Sequence, residues 1–446
     1  MEHSIPSVDG ARLLLGNSLQ FSKNPGEFLR DAHRKYGDIF KFKMMGKNIV
    51  TICSPEYNRI LFEHTDGELS IRESYPSFAK MFSDNFFFFA PHDQYVEQRE
   101  MVKTLFKVDS LRSYVSKLRR EARLLIESLE GSGELELSTT LGRLTANFNA
   151  SVFLGPDFRE MISDDIYKLY NEFSGGLELV LPTWLPLKHI RRSQTAKRTL
   201  TDLMLSFRAK KLRNDVDESD PFVRIHRELE KSRYGGDDEM IALVLLLLGW
   251  AGQETGAGSM MWAIVNLLLH KDVQRKLLDE IVDAKTAHNI DELNWDVIQS
   301  MKYLDAVILE SERRHPVINI LMRTAKRDIR FGPHLVKRGT TIFAAPAVTH
   351  LRSDLFEHPY AFRPERFLDS ESGAPPVPPY LIGFSGGAHR CAGVNFARLF
   401  IKVAVVSLVQ ELDLELVDEP VYKGRGGANV PSAPLRVRYR RRHGKA

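Results

Sequence analysis

The chain is short of cysteine, of net charge and of recognisable targeting signals. Two cysteines, Cys53 and Cys391, stand among 446 residues. Two thiols build neither a disulfide framework nor a four-cysteine iron–sulfur cluster. Neither has the Cys-x-x-Cys or His-x-x-x-His company that zinc requires. The net charge of +4 is too small for this length to indicate a nucleic-acid partner. Near the N-terminus the apolar run Leu13 to Leu15 is too short for a signal peptide or a membrane anchor, so a cytoplasmic protein is expected. There is no internal repeat, no low-complexity tract and no interdomain linker, which predicts one domain over residues 1–446.

What is present is ordinary globular composition: 43% hydrophobic, 27% charged and 10% aromatic. One long apolar stretch, Ile241 to Leu269, holds a single charge, Glu254. It is long enough to span a bilayer. However, Gln253-Glu254-Thr255 would then lie mid-membrane, and four glycines interrupt the run. The reading is a central helix in a soluble core, with no membrane span. Helical periodicity marks 109–130, 158–175, 196–213, 239–270, 271–285 and 300–314. Asp237 or Asp238 is placed to cap the central helix. Ile39 to Cys53 reads as a hairpin turning at Gly46-Lys47-Asn48, and a β-rich patch covers 317–347. The expected class is mainly α with a small β-rich part. Asn214 to Asp220 and Tyr234-Gly-Gly236 read as surface connections, Pro375 to Pro379 as a stiff extended approach, and Arg440 to Lys445 as a solvated tail.

The most informative residues are Phe384-Ser-Gly-Gly387-Ala-His389-Arg-Cys391-Ala-Gly393. Gly387 and Gly393 permit sharp turns close to a sulfur that Phe384 can shield. His389 and Arg390 put positive charge beside it, and a helix-forming run, Val394 to Leu412, follows at once. A thiolate is stabilised at such a helix start. The description is a cysteinate ready to ligate a metal, against the plainer reading of a small buried cysteine in a helix-entry turn.

Other segments carry polar groups where burial is costly. Ala251-Gly252-Gln253-Glu254-Thr255 lies in the middle of the apolar stretch. Thr255 can bond its own i−4 carbonyl. Alternatively, Glu254 and Thr255 can relay protons from solvent, with Gly252 leaving room for a small ligand. Glu310 and Arg313 share a helical face at i, i+3, a spacing that usually makes a solvated surface pair. Phe362-Arg-Pro364-Glu-Arg366-Phe367 follows later. Four consecutive aromatics, Phe86 to Phe89, cannot all face one core; they are either a buried strand-like loop or the wall of an apolar pocket.

Taken in order, these motifs resemble the cytochromes P-450. The resemblance runs from about Lys35-Tyr36-Gly37 to the C-terminus. It implies a long central helix over a haem b and a cysteine loop beneath it. Cys391 is then the axial iron ligand in the loop shaped by Phe384, Gly387 and Gly393. Ala251 and Gly252 lie against the haem. Arg99, Arg323 and His389 meet its propionates, and Glu254 and Thr255 form the acid–alcohol pair. Glu310, Arg313 and Arg366 become a buried ionic cluster that locks the cysteine segment. Tyr75, Phe78, Phe82 and Phe86 line an apolar substrate pocket from one side, Leu247, Ala251, Ile320 and Leu321 from the other. Leu179 to Pro186 matches a lid where substrates enter.

The implied activity is insertion of one oxygen atom from O2 into an apolar small molecule by a monomer. Electrons come from a ferredoxin with its reductase, or from a flavoprotein, docking near Arg99, Lys103, Lys107 and Arg390. Several stretches, Tyr95-Val-Glu-Gln-Arg99 and Leu321-Met-Arg323 among them, look closest to the sterol 14α-demethylase branch. Two departures stand out. Glu254 precedes the helix threonine where that branch has His. Lys80 and Ser83 replace Pro and Gly in the substrate motif begun by Tyr75, which is expected to put a cation beside the pocket. A terpenoid, polyketide or other steroid-like substrate is therefore expected over a sterol. The competing readings are a sterol 14α-demethylase, a haem-thiolate isomerase or dehydratase needing no reductase, and a non-catalytic haem or lipid carrier.

Overall fold

Phe40, Phe42 and Met44 alternate along Ile39–Met44 (β1) and are buried, while Lys43 between them is exposed. In the computed structural model, which describes residues 3–442 except 163–164, 178–186, 214–216, 218, 369–376, 422–428 and 432–433, β1 pairs antiparallel with Lys47–Ile52 (β2). The turn falls at Met45 and Gly46, with φ of 47° and 79°, slightly earlier than expected. Two left-handed residues match the twist of a two-residue hairpin. The strands Leu69–Ser70 (β3), Leu321–Ala325 (β5) and Thr341–Ala344 (β8) complete a sheet of order β1-β2-β8-β5-β3. Ile329–Phe331 (β6) and His334–Val336 (β7) form a small ribbon within the expected 317–347 patch. A third sheet has order β4-β10-β9, from Ser132–Glu136 (β4), Arg436–Arg441 (β10) and Leu412–Leu416 (β9).

That third sheet corrects one expectation. Arg440 to Arg442 is no loose tail: Arg440 pairs with Ser132 and Asp413 in the ladder. The pattern explains it, since Val437 and Tyr439 are buried and the arginines at 436, 438 and 440 alternate with them. Residues 443–445 lie outside the described residues, as do the expected lid at 179–186 and Pro375 and Pro376.

The helical part holds the largest core. Periodic segments appear as Val108–Glu127, Lys188–Lys211, Lys271–His288 and Lys302–Arg314. The 158–175 segment is divided between Pro156–Met161 and Asp165–Ser174. Asp237 caps the apolar stretch by accepting from the Met240 N–H over 3.0 Å. Ile241 to Leu246 are at most 1% exposed, as a core helix requires. Tyr234, expected on the surface, is 6% exposed, and its hydroxyl accepts from Gln98.

The central helix is not continuous. It comprises Asp238–Trp250 and Gln253–Leu269, broken at Ala251-Gly252. The helix Val394–Glu411 packs against Val108–Glu127 and reaches the central helix as well: a Cβ on Gly256 would fall 2.3 Å from the ring of Phe400. The segment after Cys391 is thereby seated next to Thr255.

Candidate active site

Cys391 ends a tight loop. Its N–H donates to the Phe384 carbonyl over 2.9 Å, and the Ser385 N–H to that of Ile382 over 2.9 Å. Ser385 and Gly387 both have φ of 62°. At Gly387 any side chain would meet the strain of that φ and the Phe62 carbonyl at 3.0 Å. Phe384 is half-buried with the Arg398 guanidinium 5.7 Å over its ring. The Cys391 thiol is exposed, whereas Cys53 is fully buried at the end of β2. Crowding by the surrounding protein raises the Cys391 pKa, and the Gly393 N–H with Arg99 and Arg390 opposes this only in part. A bound cation would complete the deprotonation.

The break in the central helix presents a second surface. Asn149 donates its side-chain amide to the Gly249 carbonyl over 3.0 Å. Beyond the break Gln253 and Gly256 are buried, while Ala251, Glu254 and Thr255 are exposed on one face, with half-buried Leu247 one turn earlier. Thr255 donates to the Ala251 carbonyl over 3.3 Å, the local bond its position allows. Glu254 has no ion-pair partner among the described residues; although solvent reaches its face, the protein packed around it desolvates the carboxyl and raises its pKa.

A cationic cluster borders the cysteine loop. Arg323 is 2% exposed; it donates to Thr65 over 2.9 Å and to the Met322 carbonyl over 2.8 Å, and no carboxylate lies within ion-pair distance among the described residues. Arg99 donates to the Arg390 carbonyl over 2.6 Å and to the Tyr95 hydroxyl over 3.3 Å. His389 stacks on the Tyr95 ring at 4.2 Å and meets Asp66 over 2.7 Å. Burial lowers the His389 pKa; Asp66 opposes this, and the charges of Arg323 and Arg99 add to it. A buried guanidinium without a counter-ion is costly. The two carboxylates of a haem would supply the missing charge, so the donor set fits that group. Gly393 fits too: a Cβ there would meet only Phe106 at 3.7 Å, leaving room beside the sulfur.

Glu310 and Arg313 are no surface pair. Both side chains are fully buried, joined by bonds of 2.7 and 2.8 Å. Arg366 joins Glu310 at 3.1 Å. Arg313 also donates to the carbonyls of His350, Pro359 and Ala361. His350 accepts from the Ile382 N–H over 2.8 Å, which ties this cluster to the approach of the cysteine loop. Glu312, beside it, pairs with Arg398 at 3.2 Å.

The expected pocket residues separate into groups. Phe82 and Phe86 are 3% and 2% exposed and stack at 4.8 Å, and Phe82 packs with Phe173 and Trp250 to extend an aromatic wall. Half-buried Phe78 joins them, 6.0 Å from Trp250. Tyr75 is bound by its hydroxyl to the Met322 N–H. Ile320 and Leu321 do not join this group, because they fill the two cores flanking the sheet. Val317 stands nearer the helix, within 3.3 Å of a Cβ on Gly258. Phe86, Phe87 and Phe89 are all buried despite being adjacent, because Phe87 takes φ of 44° and its N–H donates to Gln98. Lys80 is exposed on Pro76–Met81, so the cation expected beside an apolar pocket stands at the protein surface.

Asp66, Thr65, Gln98, Asn149 and His350 were not legible beforehand. Each lies far in sequence from the group it serves.

The family model for Cytochrome P450 matches residues 6–434. Lanosterol 14-alpha demethylase of Bos taurus is 27% identical over 438 residues, covering 96% of this chain and 86% of that protein. Sterol 14alpha-demethylase of Mycobacterium tuberculosis is 25% identical, covering 99% of both. The solved structure of retinoic acid bound cyanobacterial CYP120A1 superposes with a TM-score of 0.83 at 24% identity, covering 99% of this chain and all of that one.

Proposed function

The chain belongs to the cytochrome P450 family and is a haem-thiolate oxidoreductase, and from that premise we propose the roles of its residues and the class of its substrate. Haem bound to a thiolate supplies the activation of O2 and the insertion of one oxygen atom into a C–H or C=C bond. Cys391 is the ligand. Of the two thiols it alone is accessible, whereas Cys53 is fully buried. Arg99, Arg323 and His389 hold the two carboxylates of the cofactor, and Ala251, Gly252 and Gly393 leave space for its ring.

Glu254 and Thr255 manage protons. Desolvation by the surrounding protein makes the Glu254 carboxyl easier to protonate than a fully solvated one, which suits a group that takes up and releases protons. Thr255 holds a proton on its hydroxyl one residue further on the same face. The observation that carries this reading is the exposure of Ala251, Glu254 and Thr255 together at the break of an otherwise buried helix. The aromatic wall of Phe78, Phe82 and Trp250 excludes water and selects an apolar substrate. Electrons arrive from an acidic ferredoxin or a flavoprotein at the exposed cations Lys103, Lys107 and Arg390. The whole described chain acts as one catalytic domain in the cytoplasm.

The substrate class we favour is a terpenoid, polyketide or steroid-like secondary metabolite. The lost Pro and Gly at Lys80 and Ser83 support it through the backbone of the 75–89 segment. The names of the relatives favour a second reading, sterol 14α-demethylation. Incubation of the reconstituted enzyme with lanosterol and eburicol decides between them: a demethylated product with formate release establishes the second. Thr255→Ala should keep consuming O2 and reductant while forming less product and more peroxide, and Glu254→Gln should slow turnover with haem content unchanged. Full coupling in Thr255→Ala removes that residue from the proposal. Conversion of a peroxide substrate without any reductase would replace the monooxygenase assignment of the site by an isomerase one.

A further inference from the structure

Gln98 is 0% exposed, and both ends of its side-chain amide are engaged. It stands on the helix His92–Lys103, with Tyr95 one turn earlier and Arg99 next to it. Its amide nitrogen donates to the Asn85 carbonyl over 2.9 Å and to the Tyr234 hydroxyl over 2.8 Å. Its amide oxygen accepts from the Phe87 N–H over 2.7 Å. Two donated bonds are all that the amino group can make. The partners also fix which way the amide points, because a backbone N–H only donates and a backbone carbonyl only accepts.

The two backbone partners lie on either side of Phe86. That ring stacks on Phe82 at 4.8 Å, and Phe82 meets Phe173 and Trp250. Phe87 packs edge-on against Phe86, with ring centres 4.9 Å apart. The φ of 44° at Phe87 lies in the left-handed region that a residue with a Cβ disfavours. A backbone of this kind persists only where surrounding groups hold it. The Gln98 oxygen does so through the Phe87 N–H, and the Gln98 nitrogen holds the other side of the turn. Relaxation of Phe87 to an ordinary φ would swing Phe86 relative to Phe82.

The far side of the amide is braced as well. Tyr234 is 6% exposed, and its neighbour Arg233 pairs with Asp93 at 3.2 Å and Glu97 at 2.6 Å, both on the helix that carries Gln98. One side chain thus ties three separate segments together at the end of the aromatic wall.

We propose that Gln98 is a positioning residue for substrate selection: through Phe86 and Phe87 it holds the aromatic wall in one shape and so sets which apolar molecules the pocket accepts. This rests on the reading of Phe78, Phe82 and Trp250 as the wall of the substrate pocket. Gln98 acts at one remove, through the turn at 85–87. A wall already held in its bound shape spares a ligand the cost of ordering it.

The test uses the haem-loaded full chain and two azole probes titrated by the haem difference spectrum. Imidazole needs room only at the iron, whereas clotrimazole carries three aromatic rings that must fit beside it. Gln98→Met keeps the length of the side chain and loses all three bonds. It should bind clotrimazole about tenfold more weakly while imidazole affinity stays within about twofold, because the larger ligand must then order the wall. Gln98→Glu keeps an acceptor for the Phe87 N–H and should recover part of the loss. Amide exchange over 82–90 should quicken in Gln98→Met. If that variant yields no haem-loaded protein, Tyr234→Phe, which removes one partner of the three, is read in the same way, with a change of about threefold expected. Phe82→Leu tests the wall itself. An unchanged ratio of the two affinities in Gln98→Met or its substitute, with a changed one in Phe82→Leu, overturns the role of Gln98 and leaves the wall standing. A ratio unmoved in both variants overturns the wall and the inference with it. Equal weakening of both probes in Gln98→Met would make Gln98 a general support of the fold and also overturns the proposal.

Discussion

Asn149 donates its side-chain amide to the backbone carbonyl of Gly249, 100 positions further along the chain. In an unbroken helix that carbonyl belongs to the N–H of Gln253, four residues on. A side chain that enters the ladder in this way is a recognised cause of a helix break. At Ala251 and Gly252 the hydrogen-bond ladder is interrupted although both keep right-handed backbone angles, and Glu254 and Thr255 follow on the exposed face.

Replacing Asn149 by Leu removes the competitor for that carbonyl. The helix should close partly over the break, and product formed per reductant consumed should fall, with the haem spectrum retained. Stability should change by only about 1 kcal/mol, as expected for one hydrogen bond, in a denaturant melt. Unaltered coupling in Asn149→Leu would detach the break from catalysis.

The Glu310–Arg313–Arg366 cluster should be indispensable to folding. Glu310→Ala leaves Arg313 buried at 0% exposure without its carboxylate. Breaking a buried pair costs about 3–5 kcal/mol, a large part of ordinary domain stability. Little soluble haem-loaded protein is expected from that variant, measured by yield and by the reduced carbon monoxide difference spectrum. Recovery of normal yield would mean that the cluster is dispensable.

The two thiols should separate cleanly in the same spectrum. Cys391→Ala should lose the red-shifted Soret band of a thiolate-bound haem. Cys53→Ala should keep it, with a small loss of stability, about 1 kcal/mol, from the cavity left at a fully buried site. A retained red-shifted band in Cys391→Ala would falsify the ligand assignment.

His350 should make the fold acid-sensitive. Burial holds its imidazole neutral and lowers its pKa to about 3. In the unfolded chain it protonates near ~6.5. Between those values the unfolded state binds the additional proton, so stability declines as pH falls through that window. His350→Gln keeps an acceptor for the Ile382 N–H and has no proton to take up. Its melting temperature should therefore fall less than that of wild type between about pH 7 and about pH 5. Equal slopes in the two proteins would mean that another group titrates.

The parts of the site that were legible in the sequence are those built from neighbours. The Phe384 to Gly393 loop carries its turns and its thiol within one short stretch, and Glu310 and Arg313 lie one helical turn apart. The Ile241 to Leu269 run announced a core helix by composition alone. What stayed hidden depends on distant partners. The helix break is dictated by Asn149. The Arg323 guanidinium and the His389 imidazole are positioned by Thr65 and Asp66. Arg440 and Arg442 looked like a charged tail because Asp413, which they meet at 3.2 and 3.0 Å, stands on another strand. The four phenylalanines defied simple alternation because one of them, Phe87, takes a left-handed backbone that periodicity does not encode.

The order β4-β10-β9 bears on how the protein comes into being. The middle strand of that sheet is the last of the three to be synthesised, and Arg438 meets Glu134 across 304 positions of sequence. During translation Ser132–Glu136 emerges early and must wait, its pairing edge open, until Arg436–Arg441 leaves the ribosome. Closure of so long a loop is slow, and an open edge invites pairing with other chains. Pairing in this sheet therefore cannot be complete before Arg436–Arg441 is available, and until then Ser132–Glu136 carries an unpaired edge.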